Sequence, residues 1–402
     1  MPGDPASSRR ARRSTSERLA REALALHCRN AVPGDDGGLV RAGGVRRGAA
    51  VQADRWTHGF HTWPAGLDPD AAALLVRSLP DGPVGDPFCG GGTVLVEALA
   101  AGRSALGWDL APVAVRLARV RACLADEPLL TAFRGRARAA TDRARTGRDL
   151  PPESILRPLA ASYEAHVLRE LESLRRACQE APPEVQPLMW ACFSAILVKA
   201  SYRRSDTVAR RVPHHRPPGT TAVLFHRKAR ELARRLAALR EAVPPDTPPP
   251  VVVEADARRF SAPEPLAGIV TSPPYPGVYD YLPMQHLRHV WLDLAPSEHL
   301  EMGSRRAFRK DPAAAREAWR ADTAAWMHRA ATAIRPGGRL VLVIGDGFVR
   351  GRTVGVADPI AACAPAVGLD LLARATAERP GPPSGRPRFE HVLVFERPDQ
   401  GV

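Results

Sequence analysis

Short apolar runs that stop abruptly on polar residues recur along the chain. Gly268-Ile269-Val270 ends against Thr271-Ser272-Pro273-Pro274-Tyr275. A short run from Val84 ends in Asp86, Ser104–Trp108 ends in Asp109, and Val251–Glu254 leads into Asp256. Arg339–Ile344 ends in Gly345-Asp346-Gly347, and strand-like runs follow near Asp370–Thr376 and at His391–Glu396. Helical patterns separate these runs, at Pro69–Ser78, 94–101, 113–122, 284–294, 313–334 and 358–367. Strands alternating with helices predict an α/β sheet. Polar groups at the strand ends place one crevice along the carboxyl edge of that sheet.

The alternation fails between 124 and 248, where the pattern is helical and basic. The one strand-like run there, Ala191–Lys199, lies in an apolar stretch that also reads as a buried helix. Arg134, Arg136, Arg138, Arg143 and Arg145 form a run that is either a duplex-contacting surface or a solvated helix face. His214-His215 lack acidic or cysteine company and read as loop residues, and no metal site is expected. The chain divides into 1–50, a basic tail and helix in part disordered; 51–123, a ligand-binding half; 124–248, the helical insertion; and 249–402, a second half. Within the first, Ser14-Thr15-Ser16-Glu17 predicts a capping box opening a helix that ends near His27, and residues 30–50 read as loose.

Two stretches carry candidate chemistry. In Thr271–Tyr275 each proline fixes its own φ and lacks an N–H, and each pushes its predecessor toward extended geometry. The result is a stiff strand exit with unpaired carbonyls, a hydroxyl and an aromatic ring, suited to a planar group bearing an NH2. In Asp86-Pro87-Phe88-Cys89-Gly90-Gly91-Gly92-Thr93 the glycines permit close backbone approach to a ligand. The helix that follows points its N–H groups at the same place. Asp109, at the end of the next strand, has the offset of an acid that accepts from ribose hydroxyls. Ahead of this turn, Trp56–Pro64 clusters three aromatics and two histidines as core packing or as the wall of a pocket for a flat ligand.

Composition narrows the partner. The 402 residues hold 45% hydrophobic and 25% charged side chains, as in globular proteins. A formal charge of +14 and a pI near 10.4 favour a polyanion, nucleic acid ahead of a membrane surface. Six cysteines with no CxxC pair indicate neither zinc nor a disulfide framework. No apolar run is long enough to span a bilayer, and no hydrophobic signal sequence opens the chain, so a cytoplasmic location is expected.

DPFCGGGT (86–93) resembles the adenosylmethionine-binding motif of amino-methylating DNA methyltransferases, and TSPPY (271–275) resembles their catalytic motif. FHTWPA (60–65) is similar to the aromatic-proline segment preceding the glycine motif in many of them. EADAR (254–258) and RPGGRLVLVIGDG (335–347) sit where such enzymes have strands three and five. The resemblance implies a Rossmann-like class I methyltransferase: a mostly parallel seven-stranded sheet with helices on both faces, here with a helical insertion. It implies S-adenosyl-L-methionine as cofactor, held by Phe60, His61, Asp86, Pro87, Phe88, Cys89, Gly90, Gly92 and Thr93, with Asp109 on the ribose and Asp256 and Ala257 at the adenine. Ser272, Pro273, Pro274 and Tyr275 would hold a flipped base, with Ser272 Oγ and the Pro273 carbonyl accepting from its amine and Tyr275 stacking on its ring.

Serine at the head of TSPPY is typical of the cytosine-N4 class, which makes cytosine N4 in DNA the expected target and adenine N6 the alternative. The chain departs from restriction–modification enzymes in having no separate target-recognition domain after its catalytic half. Three rivals remain: an RNA methyltransferase acting on guanine N2 or adenine N6; a methyltransferase for a small molecule or peptide, against which the charge of +14 counts; and a non-catalytic nucleic-acid-binding protein that keeps the fold.

Overall fold

The computed structural model describes residues 5–28, 31–33, 39–42, 55–61, 63–64, 66–206, 208–211, 215–379 and 388–399. All seven predicted strands form: β1 (Val84–Asp86), β2 (Ala105–Asp109), β3 (Val251–Glu254), β4 (Leu266–Thr271), β5 (Ile334–Gly345), β6 (Asp370–Arg379) and β7 (Arg388–Glu396). Their order is β3-β2-β1-β4-β5-β7-β6, with β7 antiparallel to both neighbours and the rest of this core parallel. This is the Rossmann-like class I methyltransferase fold. The order reverses between β1 and β4, so their carboxyl ends open the crevice in which such sheets bind ligands.

The N-terminal stretch is more structured than its composition predicts. Helix α1 (Pro5–Cys28) runs through Ser14–Glu17, so no helix starts there. Proline is tolerated in a first helical turn, and the Ala, Ser and Arg that follow contain no breaker. Ala20, Ala23 and Leu24 are buried in the same core as α2 (Pro69–Arg77), β6 and β7. Strands at Ala31–Pro33 and Leu39–Ala42, in a region read as loose, extend the sheet beyond β6 to nine strands. Residues 43–50 lie outside the described ones.

Helices α3 (Thr93–Ala100) and α4 (Pro112–Arg121) follow β1 and β2. Gly92 opens α3 at φ +79°, and a Cβ there would lie 3.0 Å from Ala118 Cα, so glycine lets α3 and α4 pack closely. The insertion consists of α5 (Glu127–Thr146), α6 (Glu153–Leu159), α7 (Ala165–Gln179), α8 (Gln186–Ala200) and α9 (Thr220–Ala242). The run at 191–199 is therefore helix. A two-stranded hairpin, Arg203–Ser205 with Val208–Arg211, was not foreseen.

These helices build a core of their own, including Phe133, Leu171, Phe193 and Leu232, continuous with Leu117 and Val120 of α4. Arg288 fastens this body to the catalytic half: it pairs with buried Asp206 and donates to Ser194 O at 3.3 Å. Part of the basic run is neutralised locally, Arg134 by Glu127 at 2.6 Å and Arg143 by Glu180 at 2.5 Å. His215 bonds Glu164 at 3.0 Å, and His214 lies outside the described residues. No cluster of metal-ligating side chains occurs among the described residues.

After β4 the chain makes α10 (Tyr281–Met284) and α11 (His286–Trp291), in place of one continuous helix. Then come α12 (Arg305–Lys310), α13 (Pro312–Ala333) and, beyond a hairpin at 347–354, α14 (Ala357–Cys363). Asp311 caps α13 by accepting from the N–H groups of Ala313 and Ala314. Among the described residues no helix is long and apolar enough to cross a membrane.

If α1 is integral to this core, Leu24→Ala costs about 2–5 kcal/mol, measured by urea unfolding. A loss within error of zero would detach α1 from the fold.

Candidate active site

A cavity opens at the carboxyl ends of β1, β2 and β4 and gathers Asp86, Pro87, Phe88, Cys89, Gly90, Thr93, Asp109, Asp256, Ala257, Ser272 and Pro274. At its floor, the Asp86 carboxylate closes β1 against β4. Its Oδ1 accepts from Thr271 Oγ1 at 2.6 Å and from Phe88 N at 3.1 Å. Burial pushes this carboxyl up to about 7, against the pull of those two donors, and nearby Asp109 adds to the rise.

The glycine turn is shaped by its surroundings. Gly90 has φ +49°, and a Cβ there would fall 2.8 Å from Trp63 Nε1, so the indole lies directly on the turn. Gly90 N donates to Asp109 Oδ2 at 2.8 Å, and Ala111 N donates to Oδ1 at 2.8 Å. Burial nevertheless lifts Asp109 to about 6. Burial also pushes the Cys89 thiol far up, which leaves it as an inert apolar filler. Gly92 is absent from the lining and instead opens α3.

Asp256 lines the cavity in a different state. Burial would raise its carboxyl, but hydrogen bonds from Arg258 outweigh this and hold it below the usual range. The Arg258 guanidinium is fixed in turn by Asp322 at 2.6 Å and by the Leu300 carbonyl at 3.0 Å.

The Ser272–Tyr275 turn departs from expectation at its aromatic. Ser272 and Pro274 face the cavity, whereas Pro273 and Tyr275 are not among its walls. Tyr275 OH donates to Glu390 Oε1 on β7 at 2.6 Å, and its ring abuts β5, where a Cβ on Gly345 would lie 2.7 Å from Tyr275 Cε2. Glu390 Oε1 also lies 3.4 Å from His27 Nε2, and His27 Nδ1 accepts from Asp68 N at 3.3 Å. Those partners place the His27 proton on Nε2, so α1 reaches the catalytic turn through Glu390. The aromatics that do line the cavity are Trp63, Phe88 and Tyr281, and burial pushes the Tyr281 hydroxyl well above its usual range.

Phe60 and His61 are also placed elsewhere. Phe60 is fully buried in the core of the insertion, its carbonyl accepting from Lys228 Nζ at 2.6 Å. His61 Nε2 bonds Ser194 Oγ at 3.0 Å. The insertion packs on this side of the segment and takes both side chains, leaving Trp63 and Pro64 to face the cavity. Thr62 and Ala65 of the same motif lie outside the described residues. Upstream, His58 Nε2 bonds Glu97 Oε1 of α3 at 2.7 Å and its Nδ1 lies 3.1 Å from Arg121 Nη2. Burial lowers the His58 pKa. That network ties the aromatic segment to the helix after the glycine turn.

The remaining wall comes from Leu282 and from Leu300-Glu301-Met302. Glu301 Oε1 accepts from Tyr281 N and, at 3.3 Å, from Leu282 N.

No family model and no curated protein matches the chain. Among solved structures it is similar to TrmN from Thermus thermophilus, at 13% identity and a TM-score of 0.29. That match covers 82% of this chain and 48% of the other, so the chain spans about half the length of TrmN. It is similar to the rRNA methyltransferase aviRa from Streptomyces viridochromogenes, at 14% identity and a TM-score of 0.32 over 84% of this chain and 88% of that one. The glycopeptide N-methyltransferase MtfA is similar at 10% identity and a TM-score of 0.30, over 82% and 87%. The fold assignment rests on the strand order.

Asp86 carries a testable signature. Its folded-state pKa of about 7 lies above the unfolded value of about 4. The folded protein therefore holds a proton that the unfolded chain releases, and the group's favourable contribution, full at low pH, is lost as pH rises toward 7. Asp86→Asn should gain stability relative to the parent between about pH 5 and about pH 8, by a few kcal/mol at most. A stability difference that stays flat across that range in urea melts would place the Asp86 pKa at its ordinary value.

Proposed function

We propose that the protein is an S-adenosyl-L-methionine-dependent methyltransferase acting on the exocyclic amine of a nucleobase in DNA, cytosine N4 first. One observation carries the reading: Ser272 and Pro274 share a single cavity with Asp86, Asp109 and Asp256. The donor set fits the cofactor chemically. Buried carboxylates raised toward neutrality need cations or hydrogen-bond donors, and this ligand carries a sulfonium, an ammonium, two ribose hydroxyls and an adenine amine. When bound, it supplies an electrophilic methyl group for in-line displacement.

The chain's own work is then positioning. Asp109, already oriented by Gly90 N and Ala111 N, keeps lone pairs for ribose hydroxyls. Asp256, held by Arg258, offers an acceptor to an adenine amine. An aromatic amine is a poor nucleophile because its lone pair is delocalised into the ring. Ser272 Oγ accepts one amine hydrogen, which directs the lone pair toward the methyl group. The base reaches this cavity only out of the stack or from a single strand.

Tyr281, one of the aromatics in the cavity wall, takes the stacking role that the sequence assigns to Tyr275. Tyr275 instead holds the turn to β7. Exposed Arg136 and Arg138 on α5, and Arg227, Arg230 and Arg234 at helical spacing on α9, suit a phosphate backbone.

The test is incubation with labelled cofactor and either DNA or RNA, digestion to nucleosides and identification of the methylated product by mass. N4-methylcytosine from DNA is expected. N6-methyladenine from DNA would move the target base, and a methylated base from RNA would replace the DNA reading. Ser272→Ala should lower turnover on the order of a hundredfold with cofactor affinity retained; unchanged turnover would remove Ser272 from the reaction. Asp109→Ala should weaken cofactor binding by about tenfold or more in calorimetry, and an unchanged Kd would remove it from the ribose site.

A further inference from the structure

Glu301 is a buried carboxylate with one oxygen unused. Its side chain is 5% exposed. Oε1 is occupied by the N–H groups of Tyr281 and Leu282, while Oε2 has no hydrogen-bond partner among the described residues. The charged groups near it are Asp280 and Arg306. Arg306 Nη2 stands 3.7 Å from Oε2, beyond hydrogen-bond reach, and the same guanidinium bonds Glu298 at 3.0 Å. A buried acceptor left unsatisfied is costly, so its persistence in a cavity wall asks for a donor that the chain does not supply.

The position says which donor. Glu301 lies between two elements of the nucleoside end. On one side Leu282, whose N–H it holds, packs with Ala111 and Leu110 immediately after Asp109. On the other, the carbonyl of its neighbour Leu300 is bonded by Arg258, the residue that chelates Asp256. Asp109 and Asp256 thus frame the loop that carries Glu301.

We propose that Glu301 Oε2 accepts a hydrogen bond from the nucleoside part of the bound cofactor, making the Leu300–Met302 loop a ligand-contacting wall rather than a passive cover. The inference rests on the cofactor assignment above and adds a third carboxylate to the two that the sequence motifs supply. Burial pushes the Glu301 carboxyl up to about 7, against its two backbone donors, a cost of burying the charge that a further hydrogen bond to Oε2 would lower. Bound ligand and loop would then hold one another, which couples cofactor binding to the placement of Tyr281, whose N–H Glu301 holds.

Glu301→Gln isolates the free atom. It keeps an oxygen for the two backbone N–H groups and turns the Oε2 position into a donor. Calorimetry on the full chain should show S-adenosylhomocysteine binding weakened by about tenfold or more, with the melting temperature unchanged. 5′-Methylthioadenosine, which shares the nucleoside and lacks the amino-acid end, should lose the same factor. A loss seen with S-adenosylhomocysteine and absent with 5′-methylthioadenosine would overturn the proposal in favour of an ammonium contact. Equal affinities of parent and variant for both ligands would overturn it outright. If the variant melts lower, Glu301→Ala in parallel with Leu282→Ala separates the roles: an affinity loss of the same size in both assigns Glu301 to loop structure and overturns the proposal. If the parent itself binds neither ligand, the cofactor assignment falls first and this inference with it.

Discussion

A single short hydrogen bond joins the two halves of the molecule where chemistry is expected. Asp86 ends β1 and Thr271 ends β4, and the 2.6 Å contact between them closes the floor of the cavity. Everything above it is hung from these two residues. The glycine turn leaves from Asp86 through Pro87 and Phe88, and the stiff Ser272–Pro274 exit leaves directly from Thr271. Residues 185 positions apart in the chain are thereby held in a fixed relation at the crevice. Burying the carboxylate is unfavourable on its own, and the fold accepts that cost because the group locks two adjacent strands at the point where the sheet order reverses.

The helical insertion constrains the site from the side. Its core runs into α4, takes Phe60 as one of its own members, and is pinned by the Arg288–Asp206 pair to the short helices after the catalytic turn. With Phe60 and His61 drawn toward the insertion, Trp63 is left against Gly90. A change in how the insertion seats would therefore be felt at the glycine turn through the segment that carries Phe60, His61 and Trp63.

What the sequence made legible was local. Strand ends, the glycine turn, Asp109 and the double proline are written in residues a few positions apart, and the structure brings Asp86, Gly90, Asp109, Ser272 and Pro274 to one cavity. The misplacements share one cause: partners far away in the chain. Tyr275 faces β7 because Glu390 accepts its hydroxyl, a contact across 115 positions. His61 turns to Ser194 across 133 positions. No periodicity near either residue announces those partners. Glu301 was hidden for a related reason, since a single acid in a polar loop acquires meaning only when burial leaves one of its oxygens without a donor. At the N-terminus an amphipathic helix ending near His27 was legible, but not the distant sheet that its apolar face, Ala20, Ala23 and Leu24, covers.

That face has a consequence for how the chain is made. Residues 5–28 are synthesised long before 370–396, yet α1 packs on β6 and β7, and His27 bonds Glu390. Its native contacts therefore have a very high sequence separation, and closing such loops late is slow. During translation the helix can meet α2 early, but its seat on the sheet is missing while the α/β units assemble behind it. The last antiparallel strand to emerge, β7, then delivers in one step the seat for α1 and the acceptor for Tyr275. Docking of the first helix and completion of the catalytic turn become one cooperative event, so a chain stalled before its final strands would hold a formed glycine turn and an unfinished site.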